Sequence, residues 1–203
     1  MGLFNFFGCK TKGLENKEVD PNKEIQSLID KSFDDFNNRK IYDKLTDNII
    51  SQTSDDHLLQ TVFDNIETNF NEGEIYTVNE LEKLSKGKQA IFAIWILQAE
   101  VNNGGFNQFY YNNGQFSEMA YHGLELIGAQ KYSNIVKRAN SFYSEIKDEL
   151  EKDDDGTIES FSKSYENNPL NILDNEFYEL DKKERLDDIQ IKYIRNNMDQ
   201  FTN

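Results

Sequence analysis

The sequence predicts an all-α fold, arranged as a single multi-helix, bundle-like domain around a central apolar helix. Apolar residues recur at intervals of three and four along most of the 203 residues, which is the spacing of one helix face. Only two prolines occur, Pro21 and Pro169, so that long stretches of the chain are free to be helical. Fifteen Phe and ten Tyr indicate a packed core, because disordered chains are poor in aromatic residues.

The N-terminal part of the chain predicts a tail followed by a helix. Residues 1–20 mix Lys, Glu, Gly and Asn and predict a flexible tail. Residues 21–203 are expected to form one all-helical domain. Its first helix is predicted from a stripe of apolar residues at helical spacing: Ile25, Leu28, Ile29, Phe33 and Phe36.

Two more helices and a strong helix start are predicted before the centre of the chain. Ser54 is the predicted N-cap of the third helix, with aspartates in the first turn where the helix dipole favours negative charge. Thr77 and Glu80 have the spacing of a capping box and predict a helix that begins at Val78. The second helix is predicted to be short and to pass through Ile41, Leu45 and Ile49.

The central helix is predicted from a nearly continuous apolar run over residues 90–101. The run is shorter than the ~20 residues that span a bilayer, so no membrane span is expected. A helix that is apolar on all sides belongs in the middle of a bundle. Glycine and asparagine tolerate the backbone conformations that end helices, and Asn102-Asn103-Gly104-Gly105 is therefore expected to end it.

The remaining chain continues the helical pattern. Apolar residues at helical spacing predict helices over residues 116–127, 135–150 and 186–201, and a short helix over residues 158–165. Residues 170–180 are expected to be irregular or to form a short helix. No alternating pattern typical of a strand is evident.

The charge of the chain is strongly negative and unevenly distributed. The formal net charge is −15. Residues 21–75 carry a net charge of −7 and residues 147–203 a net charge of −8, whereas residues 76–146 are neutral. Such a surface repels nucleic acid and attracts basic proteins, although acidity also serves solubility without any specific partner. Direct binding to nucleic acid is not expected, because basic patches interleaved with aromatic residues are lacking.

Residues that could hold metals or carry out common catalytic chemistry are scarce. Cys9 is the single cysteine, so no intramolecular disulfide can form, as is typical of a reducing, cytoplasmic compartment. His57 and His122 are the only histidines, which excludes a multi-histidine metal site. Nucleotide-binding loops and hydrolase motifs are absent from the sequence. No metal, no cofactor and no enzymatic activity are expected.

The most distinctive segment follows the apolar run. It reads Glu100-Val101-Asn102-Asn103-Gly104-Gly105-Phe106-Asn107-Gln108-Phe109-Tyr110. Together with Ala93-Ile94-Trp95-Ile96-Leu97, this string resembles the DNA-mimic protein family. Two further likenesses lie at Leu173-Asp174 with Phe177-Tyr178, and at Tyr193-Ile194 near Phe201. The resemblance covers roughly residues 78–201, and residues 1–75 match no family.

The resemblance implies an all-helical fold and a protein, in the characterised type a dimer, that presents carboxylates in a DNA-like pattern to a transcription regulator. The string itself is largely uncharged, so that mimicry would come from carboxylates outside it. The candidate carriers are Asp30, Asp34 and Asp35 on the first helix, and Asp148, Glu149, Asp153, Asp154 and Asp155 near an acidic break in the chain.

The string has two alternative interpretations. In the structural one, Gly104 and Gly105 permit a tight corner between two helices, and the side-chain amides bond the free backbone groups there. Phe106, Phe109 and Tyr110 would then pack beside Trp95. In the other interpretation the corner is a small polar pocket, lined by Glu100, Asn103, Gln108 and His122.

Three functions are consistent with these features. The leading hypothesis is an acidic protein-binding regulator that occupies the basic surface of a nucleic-acid-binding protein, as a DNA mimic does. The second is an immunity or antitoxin-type protein that neutralises a toxin. The third is a small-ligand binder or an enzyme that uses the Asn-Asn-Gly-Gly corner. The expected partner is a basic protein, and a homodimer is possible.

Overall fold

The computed structural model describes residues 21–70, 76–152, 157 and 168–202. Within these residues the secondary structure is helical and contains no strand, which confirms the all-α prediction. The helices are α1 (Pro21–Asn37), α2 (Asp47–Gln52), α3 (Asp55–Glu67), α4 (Val78–Leu81), α5 (Lys86–Asn113), α6 (Ser117–Leu126), α7 (Gln130–Lys152), α8 (Leu170–Asp181) and α9 (Leu186–Asn196), with 3₁₀ turns at Gly114–Phe116 and Met198–Gln200.

The chain divides into two compact units, residues 1–40 and residues 41–203. Helix α1 belongs to the first unit and α2–α9 belong to the second. The division falls after residue 40, whereas the sequence predicts a boundary near residue 20. The single domain predicted over residues 21–203 stays a prediction. The predicted tail and the predicted short helix at residues 158–165 lie outside the described residues.

Helix α1 is amphipathic, as its apolar spacing predicts. Its apolar stripe faces solvent within the first unit, and Phe33 is 64% exposed. At the end of the helix, the guanidinium of Arg39 lies 3.8 Å from the ring centre of Phe36, which is a cation–π contact.

The second helix is shorter than predicted and begins later. Residues 41–46 are not helical, and α2 starts only after Thr46, whose hydroxyl accepts a hydrogen bond from the Ile49 N–H at 3.2 Å. The N-cap thus decides where the helix begins, since its side chain satisfies an N–H group that has no partner inside the helix. Leu45 is wholly buried from the preceding loop, which explains its apolar character without a helix.

The capping box predicted at Thr77 and Glu80 is present, and α4 begins at Val78 as expected. The helix nevertheless ends at Leu81 after a single turn, and α5 starts after Ser85. A capping box fixes a helix start but contributes nothing to its length.

Helix α5 is the centre of the second unit and confirms the predicted central apolar helix. It packs against α3, α6 and α8. One face of α5 contributes Ile94, Leu97 and Val101 to a core with α6, α7 and α8. Ile91 and Phe92 belong to a second core, which α2, α3 and α4 also help to form. The helix is apolar on both faces because it separates these two cores.

The C-terminal helices complete the unit. Helix α6 packs against α5 and α7, and α7 packs against α8. Residues 170–180 form the regular helix α8 rather than an irregular segment, and Leu170, Leu173 and Phe177 are its buried face. No helix in the described part of the chain combines the length and the apolar character needed to cross a membrane.

Candidate functional site

Helix α5 turns a corner at Gly104 and Gly105, as the sequence predicts. Gly105 has φ 73° and ψ −176°, a backbone conformation that is essentially restricted to glycine. A Cβ atom at Gly105 would also lie 2.4 Å from Asp174 Oδ2. Backbone conformation and close approach both require glycine at this position.

Asp174 of α8 caps the second half of α5. Its Oδ1 accepts a hydrogen bond of 2.7 Å from the N–H of Phe106, the first residue after the corner. Burial raises the pKa of the half-buried Asp174 carboxyl, and the hydrogen bond from Phe106 opposes this increase. The sequence predicts that amides of the string bond the free backbone groups, whereas this cap is a carboxylate that lies 68 residues further along the chain.

Tyr178 closes the other side of the corner. Its hydroxyl donates a 2.5 Å hydrogen bond to the carbonyl of Val101, near the end of the first half of α5. Between these two polar contacts, the ring of Phe177 meets Phe106 edge-on, with centroids 5.9 Å apart. The second family-like segment therefore has the spacing of one helix face, because Asp174, Phe177 and Tyr178 of α8 all contact the corner.

Glu100 is the acceptor for three side-chain amides. It accepts hydrogen bonds from Gln108 at 2.7 Å, Asn112 at 3.0 Å and Asn113 at 2.7 Å. Both carboxylate oxygens are engaged, so that the side chain ties the first half of α5 to the second. Asn102 and Asn103 are exposed, and Asn102 lines a different part of the surface, next to Trp95.

His122 lies elsewhere on the surface. It projects from α6, where its Nδ1 atom is 3.3 Å from Glu125 Oε2. The surface pocket that His122 lines includes none of Glu100, Asn103 and Gln108. The structure thus brings Glu100 and Gln108 together but does not add His122 to them.

The predicted packing of the string beside Trp95 is wrong. Phe106, Phe109 and Tyr110 belong to the core formed with α6, α7 and α8. Trp95 points to the other core, where it stacks on Phe63 with ring centroids 4.7 Å apart. The corner changes the direction of the chain, so that helical spacing counted across it does not predict a shared face.

The predicted acidic carriers are only partly described by the structure. Asp30, Asp34 and Asp35 are exposed on α1, in the first unit. Asp148 is exposed on α7, in the second unit. The side chain of Glu149 and the residues Asp153, Asp154 and Asp155 lie outside the described part of the chain.

The structure adds four carboxylates to the acidic carriers predicted from the sequence. Asp55 and Asp56 lie in the first turn of α3, and Asp187 and Asp188 lie in the first turn of α9. Both pairs line one cleft of about 450 Å³. Each pair occupies the first turn of a helix, where the dipole stabilises negative charge, and this repeated placement is the signal available in the sequence.

Comparison with known proteins identifies the family. Residues 82–197 match the family model described as DMP19-like protein. The chain belongs to this family, which is a family of DNA mimic proteins, as the resemblance of its central string predicts. The match includes the corner, the Asp174 cap and α9, whereas α1–α3 precede it. No curated protein and no solved structure matches the chain.

Proposed function

We propose that this DMP19-like protein is an acidic protein-binding regulator, which occupies the basic surface of a nucleic-acid-binding protein in the manner of a DNA mimic. The observation that carries the proposal is that the carboxylates fall into two groups, one bonded inside the fold and one exposed on the surface. Those of the family string and its cap are bonded inside the fold, whereas other helices carry exposed carboxylates. These include Asp34 on α1, Asp56 on α3, Asp148 on α7 and Asp188 on α9.

The spacing of the exposed carboxylates suits a surface that normally contacts phosphates. A helix rises 1.5 Å per residue, so Asp30 and Asp34 are separated by about 6 Å along the axis of α1. Each strand of duplex DNA carries one charge per ~3.4 Å of duplex axis, so four helical residues cover about two phosphate steps when both distances are taken along the axis. The net charge of −15 adds a long-range attraction for a cationic partner.

The state of the corner favours a binding protein over an enzyme. Glu100 accepts three hydrogen bonds from amides, and Asp174 accepts one from the backbone. A general base must be free to take a proton from a substrate. Both carboxylates serve the fold, which leaves recognition to the exposed acids.

Affinity capture followed by a salt titration tests the proposal. The tagged full chain is incubated with an extract of its source cells at low salt, and the retained protein is identified and purified. We expect a basic, DNA-binding protein whose affinity for the chain decreases about a hundredfold between 50 and 200 mM salt, since several ion pairs form at once. An affinity that stays constant over that range would contradict electrostatic mimicry.

A further inference from the structure

The cleft between α3, α5 and α9 combines features that a surface used only for solubility does not need. Its volume is about 450 Å³, and the side chains of Leu59, Trp95 and Ile191 supply its apolar lining. One face of the Trp95 indole stacks on Phe63. The aspartate pairs of α3 and α9 are the acidic part of the lining.

Two of these carboxylates are fixed in place by other side chains. Asp187 Oδ1 accepts a 2.8 Å hydrogen bond from the amide of Gln98, whose own oxygen accepts one of 3.1 Å from the fully buried Gln190. Asp55 Oδ1 lies 2.6 Å from Nη2 of Arg195, which is itself bonded to backbone carbonyls. Preorganised acceptors of this kind lower the entropy lost on binding.

The other two carboxylates are open to a ligand. Asp56 is exposed, and Asp188 has only a 3.8 Å contact with Arg185 Nη1. Arg185 also lies 3.4 Å from Asp187, at the outer limit of a hydrogen bond, and its side chain is 64% exposed. This arginine is the one cation among the residues that line the cleft, and its weak contacts leave the carboxylates available to a second guanidinium.

We infer that this cleft receives an arginine side chain of the basic partner protein. The guanidinium lies over Trp95 and donates hydrogen bonds to the aspartates of α3 and α9. Guanidinium groups combine cation–π contacts with forked hydrogen bonds to carboxylates, and the cleft offers both. The inference rests on the proposed function, because it names where the basic partner is held.

Trp95 makes the inference directly measurable, since it is the only tryptophan in the chain. The probe is a fluorescein-labelled, aromatic-free dodecapeptide of alternating arginine and serine, and its control replaces arginine by the uncharged isostere citrulline. Label anisotropy reports binding anywhere on the protein, whereas an unlabelled copy titrated against Trp95 emission reports binding at the cleft. We expect the arginine peptide to change both signals with one Kd and the citrulline peptide to change neither.

Variants with matched charge changes locate the site. The double variant Asp56→Asn/Asp188→Asn is expected to weaken arginine-peptide binding roughly tenfold, because two acceptors for the charged group are lost. Glu82→Gln/Glu145→Gln removes the same charge from exposed positions outside the cleft lining and is expected to weaken it less than about twofold. Arg185→Gln is expected to strengthen binding about threefold by removing the competing cation, whereas Lys182→Gln, next to α9 but not in the lining, has a smaller effect.

The outcomes separate this inference from the proposed function. Suppose that label anisotropy increases in a salt-sensitive way, that Trp95 emission does not change, and that Asp56→Asn/Asp188→Asn binds the peptide as tightly as the native protein. This result would overturn the arginine site in the cleft and leave the proposed acidic mimicry intact. No binding by either readout would count against both. A Trp95 response to spermidine at lower concentrations than to the peptide would assign the cleft to a polyamine and overturn the commitment to a protein arginine.

Discussion

The corner of α5 and the cleft beside Trp95 contain the same chemical group in two different situations. At the corner, Glu100 and Asp174 accept hydrogen bonds from amides and from the backbone of their own chain. At the cleft, Asp56 and Asp188 face solvent. A carboxylate whose acceptor capacity is used inside the fold stabilises structure, and one whose capacity is open can recognise a partner. Substitutions should therefore divide into those that change stability and those that change binding.

Gly105→Ala should have the largest effect on stability. The substitution imposes a backbone conformation that L-residues avoid and places a methyl group against Asp174. We expect a loss of about 3 kcal/mol in the free energy of unfolding, measured by urea denaturation. Gly128→Ala is the control, because φ is also positive there (81°) but no atom lies within 4 Å of the new Cβ. Its loss should be about 1 kcal/mol, and equal losses would refute the steric role of Asp174.

Asp174→Ala should rank second. It leaves the Phe106 N–H without its acceptor and is expected to cost about 1–2 kcal/mol of stability. Asp174→Asn keeps an acceptor oxygen and should remain within about 0.5 kcal/mol of the native protein at neutral pH. If the two variants unfolded at the same urea concentration, the cap would not be the reason for the aspartate.

The native protein and Asp174→Asn should also differ in how their stability depends on pH. The folded protein raises the pKa of Asp174 above its ordinary value of 3.8, so the folded state binds this proton more tightly than the unfolded state. The contribution of Asp174 to stability is therefore most favourable below its unfolded pKa and decreases as pH rises through the folded pKa. Relative to Asp174→Asn, the native protein should gain stability as pH falls towards 3.8, as measured by paired urea titrations. A relative loss on acidification would contradict this sign.

Glu100→Gln should have a smaller effect. The variant turns one acceptor oxygen into a donor that faces the amides of Gln108, Asn112 or Asn113, and we expect a loss of about 1 kcal/mol. Glu145→Gln on the exposed surface of α7 should change stability by less than about 0.5 kcal/mol. Equal midpoints for the two variants would show that the amide cluster contributes little.

Asp34→Asn/Asp35→Asn should have the smallest effect on stability, less than about 0.5 kcal/mol, because both side chains are exposed on α1. The same variant should lower affinity for the captured partner several-fold at low salt if α1 carries part of the recognition surface. Titration calorimetry and urea denaturation measure the two quantities separately. Unchanged affinity would exclude α1 from that surface.

The sequence predicts the helices well where their signals are local. The apolar run of α5, the capping box at Thr77 and Glu80 and the glycine corner all depend on residues close in the chain. The length of α4 and the late start of α2 were not predictable from apolar spacing, because buried loop residues such as Leu45 continue the same pattern.

The site was less predictable because its contacts are distant in sequence. Asp174 reaches the corner across 68 residues, and the aspartate pairs of α3 and α9 share a cleft only because both helices pack together. Helical spacing could not predict whether Trp95 shares a face with the aromatic residues after Gly105, because the backbone at Gly104 and Gly105 is not helical. The family string was recognisable from sequence, whereas the carboxylates that could recognise a partner required the fold.

Competition with DNA tests the central claim most directly. A fluorescent duplex is bound to the captured partner, and the full chain is added while the anisotropy of the duplex is recorded. A DNA mimic and the duplex cannot occupy one basic surface together, so the account predicts complete displacement, with a midpoint that follows the Kd of the partner for the chain and shifts to higher concentration in Asp56→Asn/Asp188→Asn. A stable ternary complex, in which the duplex stays bound while the chain associates, would contradict it.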